Sequence, residues 1–128
     1  MPATLVFDIE TVPDVAGYRA VFDLDPSLAD ADVAEIAFQR RRAASGQDFL
    51  PLHLQRVVAI ACLLRERDQL RVWSLGSPAD GEGELVQRFY DGIEKYTPQL
   101  VSWNGGGFDL PVLHYRGLVH GVVAPRLL

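Results

Sequence analysis

The run Leu5-Val6-Phe7-Asp8-Ile9-Glu10-Thr11 leaves few folds open to this chain. Alternation with period two sets Leu5, Phe7 and Ile9 on one side of a strand and Asp8 and Glu10 together on the other. The first side needs a core to pack on. The second holds two carboxylates that repel each other and, at the edge of a core, lose solvation. A surface turn relieves that arrangement, and so does a divalent cation.

The remaining patterns supply the rest of an α/β sheet. Residues 3–9 read as a strand that Thr11-Val12-Pro13-Asp14 breaks. Asp32 and Glu35 form a capping pair, with Asp32 as N-cap of a helix over residues 33–44. Arg40-Arg41-Arg42 falls on that helix and reads as a solvated end complementing the macrodipole, with a DNA-backbone contact as the sharper alternative. Residues 45–55 form a loop around Pro51, and residues 56–64 and 70–75 a hairpin joined by polar residues 65–69. Leu85, Phe89, Ile93 and Tyr96 mark one stripe of a helix that Pro98 ends. A short strand over residues 100–103, a tight turn over 104–107 and a helix from Asp109, with Pro111 in its first turn, complete the order. Helices on the faces of one sheet, in a single domain spanning residues 1–128, are the architecture this order predicts.

Composition excludes several classes. No apolar run approaches the length of about 18 residues that spans a membrane. The N-terminus carries no leader pattern, and the single cysteine, Cys62, sits in an apolar run as a core residue, so a reducing cytoplasm is expected. A formal charge of −5 argues against coating nucleic acid by bulk electrostatics, though not against gripping a few phosphates locally.

A second carboxylate site follows in Trp103-Asn104-Gly105-Gly106-Gly107-Phe108-Asp109-Leu110. If strands 3–9 and 100–103 are parallel neighbours, their carboxyl ends lie together, where open α/β sheets bind ligands. The glycines permit unusual backbone and close approach to a ligand. Asp8, Glu10 and Asp109 then meet at one point, and three hard oxygen donors suit Mg²⁺ or Mn²⁺. Two such ions about 4 Å apart activate water and stabilise the leaving oxygen of a phosphodiester.

At these residues the chain resembles a family. Phe7-Asp8-Ile9-Glu10-Thr11 is similar to the first motif of the DEDD superfamily of 3′–5′ exonucleases, and Asn104 through Asp109 to its second, Asn-x-x-x-Phe-Asp. More narrowly, residues 48–64, 72–76 and 92–117 resemble predicted 3′–5′ exonucleases related to the proofreading domain of family B DNA polymerases. The resemblance implies a ribonuclease H-like mixed sheet with flanking helices, with Asp8, Glu10 and Asp109 as catalytic metal ligands. It implies substrate contact for Thr11, Asn104 and Phe108, and a single-stranded DNA or RNA 3′ end as partner.

The family's third motif, a tyrosine or histidine with a last aspartate, has no counterpart here. His53, His114 and His120 are not placed to replace it. The chain therefore reads as missing its final strand and helix: a parent exonuclease, with the 128-residue piece inactive alone and self-associating through an edge strand or through its apolar tail, residues 119–128. A non-catalytic nucleic-acid-binding or dimerising fragment is the main alternative. A haloacid dehalogenase-like phosphatase fits less well, because Glu10 occupies its acid/base position and Asn-x-x-x-Phe-Asp has no role there.

Overall fold

A computed structural model describes residues 2–126. Four strands form a mixed sheet in the order β3-β2-β1-β4: β1 (Thr4–Pro13), β2 (Gln55–Glu66), β3 (Gln69–Leu75) and β4 (Gln99–Val101). β1 and β4 are parallel, with Thr4, Leu5 and Val6 opposite Gln99, Leu100 and Val101. β2 and β3 are an antiparallel hairpin in which Glu66 already pairs with Gln69. The expected five-residue connection thus shrinks to Arg67-Asp68, with Arg67 at φ 53°. Polarity misled there, because charged residues sit comfortably on a hairpin end that faces water.

The chain divides into two compact units, residues 2–11 with 57–126 and residues 12–56. In the first, α3 (Glu82–Tyr96) buries Leu85, Phe89 and Ile93 of the expected stripe, with Val86 and Tyr90 beside them, while Tyr96, also expected there, is half-buried. Leu5, Phe7 and Ile9 are buried too, and the Phe7 and Phe89 rings lie 5.1 Å apart. The helix ends at Thr97 in the left-handed conformation, one residue before Pro98. α4 (Leu110–His120) contributes Val112 and Leu113 to the buried set and carries proline in its first turn. Val6, Leu70, Val72 and Val101 are exposed.

In the second unit α1 (Val15–Phe22) and α2 (Asp30–Ser45) pack Tyr18, Val33 and Ala37 with Leu50 and Leu54. α1 is absent from the sequence reading. It is eight residues long, contains a glycine and two valines, and has little intrinsic helicity. Its cap is nevertheless specific: Asp14 accepts a hydrogen bond from the Gly17 N–H at 3.0 Å. α2 starts earlier than expected, with Ala29 as N-cap, so Asp32 is a first-turn residue and not the cap. Arg41 donates to the Phe49 carbonyl, Arg42 pairs with Asp48, and Arg40 lies over the Phe22 ring. The arginine triplet is thus engaged within its own unit. Leu52–Leu54 forms a 3₁₀ turn inside the expected loop.

At the other end of the chain, Val122 donates to the Gly117 carbonyl and Pro125 is buried, whereas Val119 and Val123 are exposed. Leu127 and Leu128, which the sequence reading counted in an apolar tail, lie outside the described residues.

Candidate active site

Asp8 and Glu10 stand within β1, three and more residues before its end, and both are exposed. Neither a turn nor burial is involved. The strand turns this face to water, which solvates both carboxylates while Leu5, Phe7 and Ile9 occupy the core. Thr11 follows on the same strand and is half-buried.

The second half of the site is built by the segment leaving β4. The expected tight turn over residues 104–107 closes, and the chain continues from it as one wide π-helical turn, Gly105–Asp109, that runs straight into α4. The Asn104 carbonyl accepts from the Gly107 and Phe108 N–H groups at 3.2 and 2.8 Å. Such wide turns recur at functional sites. None of the three glycines adopts a positive φ, so conformational freedom is not why they are there. At position 107 a Cβ would stand 2.7 Å from the Oδ1 of the exposed Asn104 side chain, which could move aside. Asn104 is exposed and lies against Gly107; Phe108 is half-buried.

This turn delivers Asp109 to the start of α4 with only 4% of its surface exposed. Aspartate at a helix start ordinarily caps a backbone N–H, but Asp109 makes no side-chain cap bond. Its Oδ2 is buried without any hydrogen-bond partner. A buried carboxylate oxygen left unsatisfied is costly, and it is the kind of donor that a hard divalent cation satisfies. β4, which leads to Asp109, is the parallel neighbour of β1, which carries Asp8 and Glu10. Donor type and strand order therefore fit a cation. Among the described residues, however, no three His, Cys, Asp or Glu side chains are gathered closely enough to hold one.

α4 is fixed from its far side by a buried ion pair that the sequence reading did not find. Glu82, the first residue of α3, accepts from Arg116 Nε at 2.9 Å and Nη2 at 2.6 Å. Its Oε2 also takes the Val57 N–H of β2 at 2.6 Å, and its Oε1 lies 2.8 Å from His120 Nε2. Glu82 and Arg116 are 5% and 3% exposed. One carboxylate thus ties β2, α3 and α4 together, and so holds the helix on which Asp109 is mounted. Sequence spacing gave no hint of it: the partners are 25 to 38 residues apart. His120, expected at the surface or in packing, belongs to this cluster.

Residues 47–128 match the family model described as a predicted 3′–5′ exonuclease related to the exonuclease domain of PolB. The chain belongs to this exonuclease family. The mixed four-stranded sheet with flanking helices accords with the ribonuclease H-like fold expected of it. The match takes in Asn104, Phe108, Asp109 and the Glu82–Arg116 pair, and begins after the strand that bears Asp8 and Glu10. A comparison with curated proteins found no match. Among the described residues no helix is long and apolar enough to cross a membrane.

Proposed function

We propose that the chain takes the 3′ end of single-stranded or frayed nucleic acid, DNA first, and that Asp8, Glu10 and Asp109 hold Mg²⁺ or Mn²⁺ for its hydrolysis. The observation that carries this reading is the buried, unpartnered Oδ2 of Asp109 at the head of α4, beyond the strand that runs parallel to the one bearing Asp8 and Glu10. Bound there, the cations would supply the Lewis acidity that activates water and stabilises a leaving oxygen. The chain's own residues do the rest. Asp8 and Glu10 bring the negative charge that keeps a bare phosphate away until it is neutralised. The Glu82–Arg116 pair keeps α4, and with it Asp109, in one position. Thr11, Asn104 and Phe108 flank the carboxylates along the two chain segments and form the groove for the terminal nucleotide.

The test is digestion of 5′-labelled and 3′-labelled single-stranded oligonucleotides in Mn²⁺. Loss of the 3′ label first, abolished in Asp8→Ala with an unchanged circular dichroism spectrum, is the expected result. Release from the 5′ end, or full activity in Asp8→Ala, overturns it. A second reading, binding without turnover, is favoured by the fact that no three metal ligands are gathered among the described residues. Its signature is a gel shift of the oligonucleotide with no shortening of either labelled strand.

A further inference from the structure

Among the described residues Trp103 is the most exposed of the large apolar side chains, with its whole indole in water. It stands between β4 and the wide turn that carries Asp109. The β1–β4 ladder leads up to it. Leu100 pairs with buried Leu5, and Val101 with exposed Val6. Alternation continues past the last paired residue: the Ser102 Oγ is buried and Trp103 is exposed. β4 ends at Val101 and the chain bends at Trp103, which therefore stands on the exposed connection leading from the parallel neighbour of β1 to Asp109, six residues on.

We propose, resting on the exonuclease reading above, that Trp103 is the platform on which the terminal base of the bound strand stacks. The chemistry divides the nucleotide in two. Asp8 and Glu10 deter its phosphate unless a cation intervenes, whereas a neutral base meets no such penalty on an indole face. Every base has a π-face, so the platform accepts a strand end of any sequence. Phe108 is only half-buried and so exposes less of its ring than Trp103.

The test uses the whole chain and a short oligothymidylate in Ca²⁺, with tryptophan emission as the readout. The wild type should be quenched on titration, and Trp103→Phe, which leaves only Trp73, should not. Trp103→Ala should bind about tenfold more weakly or worse, with Trp103→Phe recovering most of the affinity. Exposure of the indole means that both variants keep the wild-type circular dichroism spectrum. Equal affinity of Trp103→Ala, or quenching that persists in Trp103→Phe, overturns the platform while leaving strand binding intact. Absence of oligonucleotide binding by the wild type overturns the exonuclease reading and the platform with it. A blue shift of emission with protein concentration alone assigns the indole to contact between copies and overturns the platform only.

Discussion

Glu82→Ala is the substitution whose consequence the structure prescribes most fully. Glu82 gives its carboxylate to Arg116, to the Val57 N–H and to His120 at once, and both it and Arg116 are almost fully buried. Truncation strips the guanidinium of its counter-charge and a backbone N–H of its acceptor. Breaking a buried ion pair from one side costs about 3–5 kcal/mol, because the remaining charge stays desolvated. For a chain of this size that lowers Tm by about 10–25 °C. The intact pair is worth far less than its breakage, since desolvation of both charges offsets their attraction. Glu82→Met with Arg116→Met should therefore return to within about 1–2 kcal/mol of wild type. The assay is urea denaturation followed by circular dichroism of Glu82→Ala and, as a double-mutant cycle, of the wild type, Glu82→Met, Arg116→Met and the double variant. A cost below about 1 kcal/mol for Glu82→Ala, or additive costs in the double variant, would refute the account of the pair as the fastening of α4.

Three further expectations rest on separate observations. Asp109→Asn removes a buried charge whose Oδ2 has no partner, so it should stabilise the fold by about 1–3 kcal/mol in denaturation while removing metal-dependent cleavage. Gly92 lies within α3 with open space where a Cβ would stand, so Gly92→Ala should add about 1 kcal/mol of stability in the same assay. Burial pushes the Cys62 thiol up to about 11 and the Tyr90 phenol up to about 12. Cys62 should thus resist alkylation at pH 8 until the protein is denatured. Raised above its ordinary value of 10.0 in the folded state, Tyr90 contributes stability that is complete below pH 10 and lost as pH climbs towards 12. Phenolate absorbance should accordingly show one tyrosine titrating late, together with unfolding.

What the sequence determined by itself were the features fixed by neighbours along the chain. The period-two run from Leu5 to Ile9, the four-and-three spacing from Leu85 to Tyr96, and Pro98 and Pro111 as punctuation set the strands, α3 and the start of α4. They did so because side-chain direction and backbone allowance are local properties. Asp109 was legible for the same reason, as a carboxylate that starts a helix after a strand, whereas Asn104 and Phe108 were singled out only by the resemblance to the exonuclease motif. Tertiary structure alone decided matters that turn on distant partners. It decided that Asp8 and Glu10 face water and Asp109 does not, and that a weak helix stands at Val15–Phe22 because Tyr18 has a core to enter. It decided that Gly107 sits beside the Asn104 side chain without a left-handed backbone. It also joined Glu82 to Arg116 across 34 residues, because a buried charge stays stable only where the fold brings its partner to it.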